Sequence, residues 1–198
     1  MKILYDFSTH WDREWYRTFQ GFRYGLVKMM DTLIEKLESG ELWNFTFDGQ
    51  TIVLEDYYEI RPENKERVSA LIKSGKLKVG PWYIMPDEFL VSGESLIKNF
   101  LTGKKIAEGY GVQAWQFGYM NDIFGHIAQM PQILNGFGIR SAYLGRGVGR
   151  DDQDYRNFIW SSPDGSECYT YKYNYATLKR GLLMAEDKDA FLKNTLMT

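Results

Sequence analysis

Near the N-terminus, the segment Ser8-Thr9-His10-Trp11-Asp12-Arg13-Glu14-Trp15 sets His10 and Asp12 two residues apart. On an extended chain that spacing turns an imidazole and a carboxylate to the same side. Nitrogen and carboxylate oxygen together suit Zn²⁺, which takes such donors at about 2.0–2.2 Å. A polar loop cap uses the same residues, and the pair alone leaves both readings open. Further on, Met120-Asn121-Asp122-Ile123-Phe124-Gly125-His126 follows a predicted strand. Asp122 there could be a reacting carboxylate or the N-cap of a following helix. A third segment, Trp82-Tyr83-Ile84-Met85-Pro86-Asp87-Glu88, puts an aromatic pair ahead of two acids. That order suits a sugar site, where rings stack on the apolar face of a pyranose; solvated loop acids are the plainer reading of Asp87 and Glu88.

Such residues act together only if the fold gathers them. Lys2–Phe7 reads as a buried strand. Across Trp15–Glu38 the apolar positions Phe22, Leu26, Met29, Met30, Leu33, Ile34 and Leu37 fall mostly three and four apart, one face of a helix, with Gly40 just past its end. Phe45–Phe47 is a short strand running into Asp48-Gly49-Gln50, and Pro62–Lys73 is a helix opened by proline. Strands follow at Lys76–Tyr83, Trp115–Tyr119 and Ser141–Leu144, separated by helices at Gly93–Glu108 and Ala128–Asn135. After Arg150 comes a polar loop, 151–154, then strands at Phe158–Ser161 and Glu167–Tyr173. Alternation of this kind predicts an α/β fold, a parallel β-sheet with helices packed outside it. Chemistry on such sheets gathers at the carboxyl ends of the strands.

Composition narrows the function classes. The 198 residues are 44% hydrophobic, 25% charged and 16% aromatic, a globular mixture rich in rings. Net charge is −2, and Lys and Arg are scattered, so the basic stripe of a nucleic-acid binder is missing. Cys168 stands alone and can form no internal disulfide, which fits a reducing compartment. No stretch approaches the ~20 apolar residues of a membrane span. The sequence reads as a cytoplasmic protein with neither nucleic-acid nor membrane partners, and it is compatible with a homo-oligomer.

Taken in order, these motifs resemble glycoside hydrolase family 38 α-mannosidases. The resemblance rests on His10-Trp11-Asp12-Arg13-Glu14-Trp15, Asp48-Gly49-Gln50, Gly80-Pro81-Trp82-Tyr83, Met85-Pro86-Asp87-Glu88 and Asp122-Ile123-Phe124-Gly125-His126. It continues through Asn135-Gly136-Phe137-Gly138-Ile139, Arg146-Gly147 and Trp160–Ser166. The H-W-D-R-E-W and D-G-Q forms look most like the bacterial branch, which includes mannosylglycerate hydrolases. The resemblance implies an α/β fold built as a parallel sheet or an incomplete β/α barrel. It implies His10, Asp12 and Asp122 as ligands of Zn²⁺ or another divalent cation, with Asp122 also the catalytic nucleophile. Trp15 and Phe124 would wall the sugar pocket, and Arg146 would hold the nucleophile or the substrate. Asp87 is a weaker candidate for substrate binding, without an assigned role, and His126 matches no metal ligand. The implied reaction is retaining hydrolysis of an α-mannoside, of oligosaccharide or mannosylglycerate type.

Two departures bear on the reach of that reading. The family carries a further histidine ligand downstream of the nucleophile, yet His10 and His126 are the only histidines here. The family's acid/base carboxylate also lies downstream, in a segment not matched before Thr198. Residues 1–198 are therefore expected to be the truncated N-terminal catalytic α/β domain of a longer glycoside hydrolase, hydrolysing mannosides negligibly when alone. The alternative is a non-catalytic sugar- or metal-binding fragment that lacks the acid and the histidine.

Overall fold

The computed structural model describes residues 7–149 and 156–172. Helix α1, Phe19–Ser39, is closed at its start by Thr18, whose hydroxyl accepts from Gly21 N. It ends on Gly40, which takes the left-handed conformation (φ 80°) that favours glycine. Its apolar stripe, Leu26, Met30, Leu33, Ile34 and Leu37, is buried as the spacing predicts. The helix starts four residues later than Trp15, because Thr18 caps it, and residues 15–17 stay in the loop. Strand β1 (Phe45–Thr46) is followed by helix α2 (Ile52–Tyr58), a 3₁₀ turn (Pro62–Asn64), helix α3 (Lys65–Lys73) and strand β2 (Leu77–Lys78). The predicted Pro62–Lys73 helix thus divides in two.

Helix α4 (Gly93–Gly109), strand β3 (Gly118–Met120), helix α5 (Met130–Gly136) and strands β4 (Ser141–Leu144), β5 (Asn157–Ser161) and β6 (Glu167–Lys172) complete the order. β1 and β2 pair in parallel, and Ser8 bridges the other side of Thr46 in the same sense. Trp115 N donates to Val79 O (2.9 Å), which joins this pair to the sheet β3-β4-β6-β5. β3, β4 and β6 run parallel; β5 is antiparallel to β6. That reversal departs from an all-parallel sheet, and the short 162–166 connection requires it, since parallel neighbours need a crossover of a dozen or more residues. The strands do not close into a barrel among the described residues. Of the predicted strand Lys2–Phe7, all but Phe7 lies outside those residues, as do the polar loop 151–154 and Tyr173.

Two apolar clusters hold the layers together. One joins α1, α2 and α3 to β1 and β2; the other packs Trp82, Leu96 and Phe100 against Met120, Leu134, Ala142 and Leu144. α2 has no counterpart in the sequence reading. Its residues Ile52, Val53, Leu54 and Tyr57 are β-branched, apolar or aromatic and nearly all buried, so they show no amphipathic period. The predicted strand Lys76–Tyr83 stops at Lys78, because Gly80 takes φ 76° and Pro81 has no N–H for a ladder. No helix among the described residues is long and apolar enough to cross a membrane.

α4 carries the loop that follows β2. Asn99 Oδ1 accepts from Tyr83 N (2.8 Å) and Ile84 N (3.1 Å), while its Nδ2 donates to Ile84 O (2.6 Å). This grip needs direct contact between helix and loop backbone, and Gly103 allows it: a Cβ there would lie 2.3 Å from Pro81 O. Gly103→Ala is therefore expected to destabilise by about 1–3 kcal/mol, the usual range for overpacking. Gly109→Ala, at a helical position with nothing within 4 Å of the added Cβ, should leave the unfolding midpoint unchanged or higher. Equal midpoints for the two variants of the full-length protein would refute the close packing.

Candidate functional site

The ends of β1, β2 and β3, the isolated bridge at Ser8 and the loops after them build one cavity of about 440 Å³, lined among others by His10, Asp12, Gln50, Met85, Asp87, Asp122 and Phe124. His10 and Asp12 follow the Ser8 bridge, Gln50 follows β1, Met85 and Asp87 follow β2, and Asp122 follows β3. One ligand atom from each of His10, Asp12 and Asp122 lies within 4.8 Å of the others. His10 Nε2 stands 3.3 Å from Asp12 Oδ1 and 3.3 Å from Asp122 Oδ2. Two donors about 2.1 Å from one ion at the tetrahedral angle would stand about 3.4 Å apart. Spacing and donor chemistry therefore both fit a divalent ion such as Zn²⁺.

His10 is aimed from behind. Its Nδ1 meets Oδ2 of Asp48, a carboxylate with no solvent exposure. Metal-ligating histidines commonly donate their other N–H to such a carboxylate, which fixes the tautomer and the ring orientation. Burial works against charge on His10, but the hydrogen bond to Asp48 and the charges of Asp48, Asp12 and Asp122 outweigh it, pushing its pKa up to about 9. Burial likewise pushes the Asp48 carboxyl up, against the pull of His10, so the pair keeps a proton between Nδ1 and Oδ2. An ion at Nε2 would take the place of the second ring proton and leave that bond intact.

Asp48 sits at φ 57° and Gly49 at φ 72°, so the D-G-Q turn doubles back under the site. Aspartate tolerates the left-handed region better than most residues, yet a non-glycine residue there is uncommon. Gln50 spans two walls: its Nε2 donates to Trp11 O (3.0 Å) and its Oε1 accepts from Met85 N (3.1 Å). Asp48 and Gln50 stand in the D-G-Q segment, and the sequence alone assigns neither a role. Their signal was position, immediately beyond a strand end in a fold where chemistry collects there.

Arg146 Nε meets Asp122 Oδ1 at 2.5 Å, its Nη2 donates to Asp122 O (3.2 Å), and its guanidinium lies 4.1 Å from the Phe124 ring centroid. It is thus paired rather than an isolated surface charge. Asp122 caps no helix, since α5 begins eight residues later with Gln129 at its N-cap. Phe124 lines the cavity and is 70% exposed. Trp15 is 74% exposed, with its ring edge-on to Tyr16; it is neither a core residue nor among those lining the cavity. Asp87 lines the cavity, but Glu88 is buried, so the two acids are not both solvated.

With this geometry in hand, the class of protein is clear. Residues 7–197 match the model of the glycosyl hydrolases family 38 N-terminal domain, and the chain belongs to that family. It is 46% identical, over 171 residues, to a Halalkalibacterium halodurans protein whose name assigns it provisionally to the mannosylglycerate hydrolases; the match covers 80% of this chain and 19% of that protein. It is 27% identical to alpha-mannosidase G of Dictyostelium discoideum, over 82% of this chain and 15% of the relative. Among solved structures, an alpha-mannosidase from Enterococcus faecalis superposes with a TM-score of 0.85 at 34% identity, over 96% of this chain and 22% of that one. The chain spans about a fifth of the length of the first and last of these.

If Asp48 orients a ligating histidine, Asp48→Ala should lower Zn²⁺ affinity by about 10- to 100-fold, the range seen when such supporting carboxylates are removed. Competition titration against a chromophoric chelator measures it. An unchanged affinity would mean that Nε2 of His10 does not bind the ion.

Proposed function

We propose that this chain carries the metal-binding and nucleophilic part of a retaining α-mannosidase site, as the N-terminal catalytic α/β domain of a longer cytoplasmic enzyme. One observation carries the reading: His10, Asp12 and Asp122 converge on one cavity, and Arg146 holds the second oxygen of Asp122. The substrate is an α-mannoside of oligosaccharide or mannosylglycerate type; the names of the relatives support an α-mannoside, and that of the 46% identical one supports the mannosylglycerate type. Zn²⁺ or another divalent cation, held by His10 Nε2, Asp12 and Asp122, would act as a Lewis acid toward sugar hydroxyls and orient the ring.

The chain's own groups do the rest. Asp122 attacks the anomeric carbon on the face opposite the leaving oxygen, forming an acylal-type ester to the sugar while the glycosidic bond breaks. A second carboxyl, about 5–5.5 Å from Asp122 in a retaining pair, gives its proton to the departing oxygen. Its place in the family is downstream of the segments matched here. That carboxyl then takes a proton from water, which attacks the same carbon and frees Asp122. Arg146 holds Asp122 through a charge-assisted bond to Oδ1 and limits the rotation of the carboxylate. Phe124 presents a ring to the cavity, and Trp15 would swing its exposed ring over the bound sugar.

Turnover of an aryl α-mannoside by the full-length protein with Zn²⁺ tests the reading. Asp122→Ala should reduce kcat by roughly 10⁴-fold or more, as loss of a nucleophile does. Retention of a tenth of the activity would exclude Asp122 as nucleophile and leave a sugar- or metal-binding role. Trp15→Ala is expected to raise KM by about 3- to 10-fold, from a ring contact of about 0.5–1.5 kcal/mol, with the melting temperature held because the side chain is exposed. A fallen melting temperature with unchanged KM would remove Trp15 from the site.

A further inference from the structure

Beneath the strap that carries Arg146 lies a buried acid the mechanism above does not use. The Glu88 side chain is fully buried; its Oε2 accepts from Ile127 N (2.8 Å) and its Oε1 meets His126 Nδ1 (2.8 Å). The other ring nitrogen, His126 Nε2, donates to the carbonyl oxygen of Arg146 (2.8 Å). A carbonyl only accepts, so this Nε2 keeps its proton, and a second proton lies between Nδ1 and Glu88. The edge-on ring of Trp160, 5.6 Å away, flanks His126.

Glycine on either side of Arg146 brings the strap down onto the Asp122 loop. A Cβ at Gly145 would lie 2.1 Å from Asn121 O. One at Gly147 (φ 83°) would lie 2.6 Å from Ile123 O and 2.9 Å from Gly125 N. Residues 145–147 and 121–126 therefore touch backbone to backbone, and only glycine permits it at those two places. Between them, Arg146 is pinned by its own carbonyl to His126 while its guanidinium reaches Asp122 at 2.5 Å.

We propose that Glu88 and His126 form a positioning pair that sets the Arg146 backbone and, through the guanidinium, the attitude of the Asp122 carboxylate. The proposal rests on the reading of Asp122 as the nucleophile. Neither Glu88 nor His126 lines the cavity, so neither is a catalytic residue. Their effect reaches the reaction as geometry, where a displacement of about 1 Å can change a rate by about 100-fold.

A double-mutant cycle in the full-length protein, read as kcat and KM on an aryl α-mannoside, tests it. His126→Phe should lower kcat by about 10- to 100-fold with little change in KM. In the Arg146→Ala background, adding His126→Phe should lower kcat no further, because the pair acts through the residue already removed. Multiplicative losses would overturn the proposal, since they are what a merely structural role produces. Should His126→Phe not fold, His126→Gln, which cannot donate to acceptors on opposite sides, replaces it in the same cycle. Glu88 supplies a second readout. Glu88→Gln keeps an acceptor for Ile127 N–H and a donor for Nδ1, so its kcat should stand about tenfold or more above that of Glu88→Leu; equal values overturn the proposal. Asp122→Ala runs beside these variants. If it stays active, the nucleophile reading has failed and the positioning pair falls with it; if it is dead while the cycle is multiplicative, the positioning pair alone has failed.

Discussion

Burying the Asp48 carboxylate costs several kcal/mol unless its charge is met, and His10 meets it from the cavity side. That single contact sets much of what surrounds it. Asp48 reaches under His10 by adopting the left-handed backbone conformation, and Gly49 continues the turn so that Gln50 can bond Trp11 and Met85. With Nδ1 committed to Asp48, only Nε2 of His10 can face Asp12 and Asp122. The mutual placement of these three side chains is thus fixed by Asp48, which sits behind the imidazole ring.

The helices serve the same end from outside. α4 meets the backbone at Pro81 and Trp82 through Gly103, and Asn99 holds Tyr83 and Ile84, so the cavity wall after β2 is tied to a rigid element. Buried Trp82 donates from Nε1 to Tyr119 O (2.8 Å), linking that wall to β3, whose end presents Asp122. Each chemical group stands on a short loop with a packed element directly behind it. Precise placement of this kind is what the proposed attack at the anomeric carbon would require.

Much of this was legible in the sequence. The α1 stripe, the β4 bounds, the strand-end position of Asp122, the H-x-D pairing of His10 with Asp12, and the family resemblance all stood in residue order. What stayed hidden was set by tertiary contact. α2 is buried on nearly every side and so shows no period, while Lys76–Tyr83 looks like one strand until Gly80 and Pro81 end it. The antiparallel β5 followed from the length of one connection. Glu88 read as a solvated acid because its partner, His126, lies 38 residues away, and Asp48 and His10 are separated by the same interval. Pairings over such distances leave no spacing to read. Nor does spacing disclose how far Trp15 stands from the cavity wall, since Thr18, three residues on, decides where α1 begins.

If Asp122 both faces the proposed ion site and forms the bond to the sugar, the glycosyl-enzyme is carried on that one carboxylate. A mannosyl fluoride bearing a second ring fluorine slows hydrolysis of a glycosyl-enzyme and lets it accumulate, so peptide mass mapping of the full-length protein can locate the attached sugar. One added fluoromannosyl group is expected, carried by the peptide containing Asp122 and absent from Asp122→Ala. A label on any other carboxylate would contradict the role of Asp122 as nucleophile.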